Sequence, residues 1–317
     1  MERRHATLVI GFLLAMVMIT ASLAFTYLEW FASGEEWSQN LEATPLKAGY
    51  MYASYPSKTF PNHYTIATGL YPEAHGIVDN AVYDSELLPE LVDIKRTRHP
   101  GYYRGHPIWN VVEENNRLAA CIFWPGCGNG RQPTYNLKYN KSMANMERID
   151  KVNRQLAEVD STLVYLFARL RSVNLMDCVN LVVVSDHGMQ KLHKRYYLNE
   201  QLNTTAYSLP ELKRKLKCEC KRCDYRLYDW ATMPKRYHFA ANRRIGDLIV
   251  EGRPGTILFS SRNEDSNITA DHGYDYLERS MHTIFFAKGP DIAVGVRLRP
   301  FQNIELFSLM ASSLFYA

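Results

Sequence analysis

The chain has 317 residues, 46% of them hydrophobic and 22% charged, and its formal net charge is +4. This composition is ordinary for a globular protein, and the length suits one large α/β domain or two small ones. Basic residues concentrate between Lys213 and Arg226, in a run that is either a solvated surface or a surface that attracts anions. Because aromatic side chains are not regularly interleaved with these charges, we expect no binding of nucleic-acid duplexes.

The N-terminal segment predicts export from the cytosol. No charged residue occurs from Ala6 to Leu28, whereas Arg3 and Arg4 precede this apolar stretch. A helix of about 20 apolar residues spans the hydrocarbon core of a bilayer, and positive charges before it favour a cytosolic N-terminus. We therefore expect a single-pass type II membrane protein with an extracellular or lumenal domain; the alternative is secretion after signal cleavage near residues 22–24. The predicted division is a cytosolic tail over residues 1–5, a signal-anchor helix over 6–28, a linker over 29–43 and a folded domain over 44–317.

Glycosylation sequons and cysteines agree with export. Acceptor sequons begin at Asn140, Asn203 and Asn267. The six cysteines are disulfide candidates in an oxidising compartment, although their spacing does not fix the pairing. For the three cysteines within residues 218–223, zinc binding in a reducing compartment is the alternative.

The segment around Thr59 predicts a helix with an exposed N-terminus. Pro61 suits the first turn of a helix, and Gly69 suits its end. Thr59 would then lie where unpaired N–H groups and the helix dipole favour an anion. Its hydroxyl either caps the helix or, when bound to zinc, loses its proton and attacks phosphorus. From the residues alone, the cap is the more common role.

Further along the chain, the hydrophobic pattern indicates alternating helices and strands. Apolar residues at helical spacing occupy positions 156–170, and the β-branched run Leu181–Val184 follows them. The runs 119–123 and 282–286 also have the character of strands. Helix, strand and polar loop in this order indicate an α/β protein, in which ligands gather at the carboxyl ends of strands.

Two Asp-His-Gly turns occur near such strands. Asp186 and His187 follow the run Leu181–Val184, and Asp271 and His272 precede the run 282–286. A carboxylate and an imidazole at a strand's end can share one metal ion, and zinc accepts both at about 2.0–2.2 Å. One such turn is more often only a polar turn, but two in one chain favour a metal site.

Longer motifs in this chain resemble the signature of the ectonucleotide pyrophosphatase/phosphodiesterase family, the type I phosphodiesterases of the alkaline-phosphatase-like superfamily. The matching segments are ordered and cover nearly all of the chain from about Thr44 onward. They are Lys58-Thr-Phe-Pro-Asn-His-Tyr64, Thr68-Gly-Leu-Tyr-Pro-Glu73, His75-Gly-Ile77, Asp79-Asn80, Phe123-Trp-Pro-Gly126, Pro133-Thr-Tyr135, Ser185-Asp-His-Gly-Met189, His272-Gly-Tyr-Asp275, Ser280-Met-His282 and Gly289-Pro290.

The resemblance implies an alkaline-phosphatase-like α/β fold with a mixed, mainly parallel sheet flanked by helices, and a phosphodiesterase-like catalytic domain over residues 44–317. It also implies a site with two Zn²⁺ ions. By this likeness Thr59 is the nucleophile and a zinc ligand, and Asn80 donates a hydrogen bond to the charge developing on a phosphate oxygen. Asp186 and His187 would hold the zinc that activates Thr59, and His272 would bind the second zinc.

The resemblance further implies a substrate pocket for a nucleotide or another small phosphodiester. Phe60 and Tyr135 resemble the aromatic pair that sandwiches a nucleobase, and Trp124 and Pro125 would shape the same pocket. Buried aromatic side chains that serve only as core are the alternative. The residues do not reveal whether the substrate is a nucleotide, a lysophospholipid or another phosphodiester.

Two family motifs have no counterpart in this chain. One is a strand that ends in Asp-Gly-Phe, and the other is a strand with Glu-Pro-Asp and a later Gly-His; both supply zinc ligands in the family. The first aspartate here is Asp79, and residues 147–156 run on without the second strand. We therefore expect an incomplete sheet and the retention of one zinc ion or none.

Two hypotheses follow for the activity. The first is an enzyme that hydrolyses phosphodiester or pyrophosphate bonds in extracellular nucleotides or related phosphodiesters. The second is a catalytically inactive binding protein, arising as a splice variant or from an incomplete gene model. The intact motifs favour the first hypothesis, and the missing metal ligands favour the second.

Overall fold

The structure is a computed structural model that describes residues 46–97, 99–129, 131–137, 164–201, 207–218 and 224–315. Several sequence-based predictions lie outside these residues. They are the tail, anchor and linker over residues 1–43, the sequons at Asn140 and Asn203, and the first half of the predicted helix at 156–170.

The prediction that this chain is a single-pass membrane protein is contradicted by the helices of the described residues. Crossing a bilayer takes about 20 apolar residues in one helix. In the described part of the chain, no helix is long and apolar enough to do so. The predicted anchor over residues 6–28 itself lies outside the described residues.

The described helices are short and are numbered α1 to α7 in chain order. They are α1 Thr59–Thr68, α2 Pro72–His75, α3 Ile108–Glu114, α4 with helical residues 164–172, α5 Leu198–Gln201, α6 Leu209–Cys218 and α7 Glu305–Phe315. The first of these confirms the helix predicted around Pro61, because Gly69 closes it in a left-handed conformation with φ 65°.

Sixteen described strands are numbered β1 to β16. They are β1 Leu46–Ala48, β2 Met51–Tyr52, β3 Ala81–Asp84, β4 Leu88–Asp93, β5 Ala120–Ile122, β6 Tyr135–Leu137, β7 Leu181–Val184, β8 Gln190–Lys191, β9 Lys194–Tyr197, β10 Tyr225–Tyr228, β11 Ile249–Gly252, β12 Thr256–Phe259, β13 Ala270–Asp271, β14 Phe285–Lys288, β15 Arg297–Leu298 and β16 Phe301–Gln302. The predicted strand Leu181–Val184 is confirmed, and those at 119–123 and 282–286 are confirmed in part.

The prediction of a mainly parallel sheet is wrong. The largest described sheet has the order β15-β1-β14-β7, and only its β1–β15 pair is parallel. Six further described strand pairs, three of them parallel, make the architecture mixed. Buried and half-buried residues alternate along β7 as Leu181, Val182, Val183 and Val184, and such alternation is typical of an antiparallel sheet with one well-covered face.

Two hydrophobic clusters flank α1 and fix its position. One joins the covered face of the sheet to Ile66 of α1 and Leu306 of α7. The other packs Tyr64 and Ala67 of α1 against the β3–β4 hairpin, α3 and β5. Since α1 is wedged between both clusters, its N-terminus is held near the end of β7.

A disulfide closes the turn that follows β5. Cys121 and Cys127 are bonded, which confirms that cysteines of this chain form a disulfide. Cys178 is a free, exposed thiol. The bridged turn contains Trp124 and Pro125, two residues that the sequence predicts to shape a substrate pocket.

The third sequon lies on the described surface. Asn267 is exposed, with φ 55° in the loop after Arg262–Glu264. We expect it to carry a glycan when the chain passes through a eukaryotic secretory pathway. Glycosidase digestion should then reduce the apparent mass of the wild type by more than that of Asn267→Gln. Identical shifts in both proteins would contradict the prediction.

Candidate active site

Three segments that are distant in sequence meet at the start of α1. Thr59 is the first residue of α1, Asp186 and His187 follow β7, and His272 follows β13. The antiparallel pair β8–β13 brings the two Asp-His-Gly turns together, and the rings of His187 and His272 stack with centroids 3.8 Å apart. The fold therefore gathers Thr59 and both predicted turns in one place.

The Thr59 side chain contacts the first of these turns. Its Oγ1 is 3.1 Å from His187 Nε2, and the same nitrogen is 3.1 Å from Asp186 Oδ2. His187 Nδ1 lies 2.8 Å from the carbonyl oxygen of Gly188, which can only accept, so Nδ1 carries a hydrogen. With its hydrogen on Nδ1, a neutral His187 has a lone pair on Nε2, which can accept a hydrogen bond from the Thr59 hydroxyl or bind a cation beside Asp186.

His63 supports Asp186 from the side of α1. Its Nδ1 is 3.3 Å from Asp186 Oδ2 and 2.8 Å from the Thr59 carbonyl oxygen, and the Trp124 ring packs against it at 5.0 Å. Burial alone would raise the pKa of the Asp186 carboxyl, but His187 and His63 outweigh burial and hold that pKa well below its usual range. Asp186 is therefore ionised at neutral pH.

His272 lies against the segment that precedes α1. Its Nδ1 is 3.1 Å from the carbonyl oxygen of Ser57. Burial, together with the neighbouring His187, lowers the pKa of His272 to about 3. At neutral pH His272 is therefore an uncharged imidazole.

The Asn80 amide is oriented by the first turn of α1. Its Oδ1 accepts a hydrogen bond from the backbone N–H of Phe60 at 2.9 Å. Because the oxygen is engaged there, the NH₂ group is the end of the Asn80 amide that can donate to a ligand. Donation from Asn80 to a phosphate oxygen stays a prediction.

An ion pair between Lys58 and Asp79 holds the turn that carries Asn80. Lys58 Nζ lies 2.8 Å and 2.7 Å from the two Asp79 oxygens, and the Asn80 backbone N–H donates to Asp79 Oδ1 at 2.6 Å. The Lys58 stem crosses Gly273, where φ is +104° and a Cβ would lie 3.1 Å from Lys58 Cε. Glycine at position 273 therefore leaves room for this ion pair beside Thr59.

The predicted aromatic residues lie in different surroundings. Phe60 is partly buried against the cluster that contains Tyr64, and Trp124 and Pro125 are half-buried in the disulfide-bridged turn. Tyr135 is 61% exposed on β6. Stacking of Phe60 and Tyr135 on a nucleobase stays a prediction.

A cavity of about 380 Å³ opens beside the site. Lys58, Asp79, Asp271 and His272 line it together with many apolar residues. Burial raises the pKa of the Asp271 carboxyl. The cavity offers space for a ligand group next to the Thr59 turn.

The residues of the site do not fit a centre with two zinc ions. Among the described residues, no three His, Cys, Asp or Glu side chains are placed to hold one metal ion. Asp186 and His187 converge with the Thr59 hydroxyl, whereas His272 lies flat against the His187 ring. The implied pair of zinc ions therefore has at most one partial set of ligands in the described part of the chain.

We expect purified protein to retain at most one zinc ion per chain after dialysis. Catalytic zinc sites typically use three protein ligands, and in the part of the chain that the structure describes, Thr59, Asp186 and His187 are the candidate ligands that converge. Metal content per chain, determined by mass spectrometry, measures this number. Asp186→Asn should lower it further, and two ions per wild-type chain would show that the ligand set is larger than described.

Sequence reasoning missed several residues of the site. In the sequence, His63, Lys58 and Asp79 appear only within longer motifs that assign them no role, although each contacts a predicted site residue or its neighbour. The signal for His63 was its position four residues after Thr59, which places both on one side of a helix.

The fold resembles that of solved phosphodiesterases. Murine ectonucleotide pyrophosphatase/phosphodiesterase 5 superposes with a TM-score of 0.78 at 22% sequence identity, covering 87% of this chain and 88% of that chain. An inactive variant of the same murine protein in complex with AMP gives a TM-score of 0.78 at 23% identity, covering 86% and 87%. The chain therefore shares the fold of these structures.

Sequence comparisons identify the family. The model of the family "Type I phosphodiesterase / nucleotide pyrophosphatase" matches residues 22–151, 145–217 and 203–275. An ectonucleotide pyrophosphatase/phosphodiesterase of Caenorhabditis elegans is 33% identical over 83% of the chain, and family member 3 of Mus musculus is 30% identical over 86%. The chain belongs to the type I phosphodiesterase/nucleotide pyrophosphatase family. It spans 38% and 39% of the lengths of these two relatives.

Proposed function

We propose that this chain hydrolyses phosphodiester or pyrophosphate bonds in nucleotides or related phosphodiesters, with Thr59 as the nucleophile. The position of the Thr59 hydroxyl carries the proposal: it lies in the first turn of α1, 3.1 Å from His187 Nε2. Helix N-termini favour anions, because their N–H groups lack intrahelical partners and the helix dipole is positive there. A phosphate bound at this turn lies next to the hydroxyl.

In the proposed reaction the Thr59 oxygen bonds to phosphorus, the bond from phosphorus to the leaving oxygen breaks, and the hydroxyl proton passes through solvent to the leaving group. The resulting covalent threonyl phosphoester is then hydrolysed by water. The NH₂ group of Asn80 donates to the charge that develops on a phosphate oxygen. Zinc held by Asp186, His187 and Thr59 would lower the pKa of the attacking hydroxyl. The residues proposed to contact the rest of the substrate are Phe60, Trp124, Pro125 and Tyr135.

The second candidate is a family member that binds phosphodiesters without hydrolysing them. The ring stacking of His187 and His272 favours it, because among the described residues His272 joins no set of ligands for a second zinc ion. Such a protein would keep the anion site at α1 and the oriented Asn80 amide.

Two measurements on the full chain distinguish the candidates. One is hydrolysis of a chromogenic nucleotide phosphodiester, and the other is AMP binding by calorimetry. Hydrolysis above background that depends on Thr59 supports the enzyme. AMP binding with no hydrolysis supports the binding protein, and the absence of both refutes the two candidates together.

A further inference from the structure

A buried set of hydrogen bonds joins the C-terminal part of the chain to the start of α1. Ser54, Asn62 and Asn303 are 1%, 0% and 0% exposed. Ser54 Oγ donates to Asn303 Oδ1 at 2.8 Å, and Asn303 Nδ2 donates to Asn62 Oδ1 at 2.8 Å. The backbone N–H of Ser54 donates to the same Asn62 oxygen at 2.7 Å. Because unpaired polar groups are costly in the interior, these contacts have few alternative arrangements.

Asn62 transmits these contacts to the residues just before Thr59. Its Nδ2 donates to the carbonyl oxygens of Pro56 at 2.9 Å and Lys58 at 2.8 Å. The Asn62 amide thus makes four hydrogen bonds, the number that its oxygen lone pairs and its two N–H groups allow. Lys58 directly precedes Thr59, so the position of its carbonyl group determines where α1 begins.

Asn303 is itself held firmly by the backbone around it. Its N–H donates to the carbonyl oxygen of Tyr52 at 2.9 Å, and its own carbonyl accepts from the N–H of Leu306 at 3.2 Å. These contacts fix Asn303 between the parallel pair β2–β16 and the start of α7. The side chain therefore presents its amide to Asn62 from a rigid support.

We propose that Asn303 is a positioning residue for the Thr59 site, 241 residues from Asn62 in sequence. Acting through Asn62, it holds the first turn of α1 in the place where that turn binds phosphate. The inference rests on the proposed function, since it takes this turn as the phosphate site. It adds that the segment from β16 to α7 controls the affinity of the site without touching the ligand.

The test compares AMP affinity in three variants of the full chain. Asn303→Asp keeps the acceptor for Ser54 Oγ and replaces only the donor that faces Asn62 Oδ1. Asn303→Ser shortens the side chain without adding charge and serves if the aspartate variant does not fold. Ser312→Ala on α7 is the matched control, because Ser312 is exposed and bonds only its own helix. AMP binding is measured by calorimetry, and folding is followed by thermal unfolding.

We expect Asn303→Asp or Asn303→Ser to bind AMP about tenfold more weakly, equivalent to 1.4 kcal/mol. Both Asn303 variants should melt below the wild type, because each leaves Asn62 Oδ1 without its side-chain donor, so AMP binding is compared at a temperature where every protein is folded. Ser312→Ala should bind AMP as the wild type does. AMP affinity within twofold of the wild type in both Asn303 variants overturns the inference. A loss of AMP affinity that is explained entirely by the unfolded fraction of the variant also overturns the inference. The same holds if the wild-type chain does not bind AMP. If AMP binding depends on Asn303 while no Thr59-dependent hydrolysis occurs, the inference stands and the proposed hydrolysis fails.

Discussion

Replacing Thr59 with alanine is expected to lower the hydrolysis of a chromogenic nucleotide phosphodiester at least about 1000-fold, to the background rate. Removing a nucleophile eliminates the covalent route, and what remains is the catalysis given by binding and oriented donors alone. The variant should stay folded, because the helix cap is Lys58 and no side chain of the first turn serves as a cap. Alanine is moreover the best helix former.

The measurement is initial rates for the wild type, Thr59→Ala and Thr59→Ser. The serine variant keeps a hydroxyl at the same place in α1 and should retain measurable turnover. AMP affinity, determined alongside, should change little in either variant, because the backbone N–H groups of the first turn remain. Equal rates for the wild type and Thr59→Ala would remove Thr59 from the mechanism and favour the binding protein.

The local parts of the site were predictable from the sequence. Thr59, Asp186, His187 and His272 each belong to a short motif at a helix start or a strand end. Their side-chain types and their place relative to Pro61, Gly69 or a hydrophobic run suffice to expect an anion or metal site. The fold brings all four together because α1 packs between two hydrophobic clusters.

The direction of the strands was not predictable in the same way. Leu181–Val184 has the apolar character of a strand in a parallel sheet. Its neighbour β14 nevertheless runs antiparallel, with Phe285 opposite Val184. Strand direction depends on how the chain returns to the sheet, and that information lies in tertiary packing rather than in the residues of either strand.

The pairing of charged residues could not be predicted from the sequence either. Lys58 and Asp79 are 21 residues apart, and Asp84 and Arg244 are 160 apart. Neither separation corresponds to a helix or strand period, so no pattern marks these pairs. Both side chains of the second pair are fully buried, whereas those of the first are partly exposed.

Replacing Arg244 with methionine is expected to destabilise the protein by about 3 kcal/mol. The side chains of Arg244 and Asp84 are fully buried, and Arg244 Nε donates to Asp84 Oδ2 at 2.6 Å. The same guanidinium donates at 2.7 Å to the carbonyl oxygens of Gly76, Tyr102 and Gly101. Methionine fills much of the space but removes the one buried guanidinium that faces Asp84, leaving only the exposed Arg243 as its cationic partner. It also leaves the three carbonyl groups without this donor.

Arg243→Met is the matched control, because Arg243 donates to the same carboxylate at 3.0 Å but is 39% exposed. We expect it to cost at most about 1 kcal/mol, since water can replace an exposed partner. Urea unfolding of both variants measures the difference in the free energy of unfolding. Equal losses in the two variants would show that burial of the Arg244 contacts adds nothing.

The effect of Arg244→Met should depend on pH. Burial alone would raise the pKa of the Asp84 carboxyl, but hydrogen bonds from Arg244 and Arg243 outweigh burial and lower the pKa. A carboxyl whose pKa is lower in the folded state stabilises that state above the unfolded pKa of about 3.9. This contribution is lost as the pH falls through the pKa of the folded state.

The difference in unfolding free energy between the wild type and Arg244→Met should therefore have its full size at pH 7 and become smaller below about pH 4. A gap that stays constant down to pH 3 would mean that the three carbonyl contacts, and not the ion pair with Asp84, account for the loss.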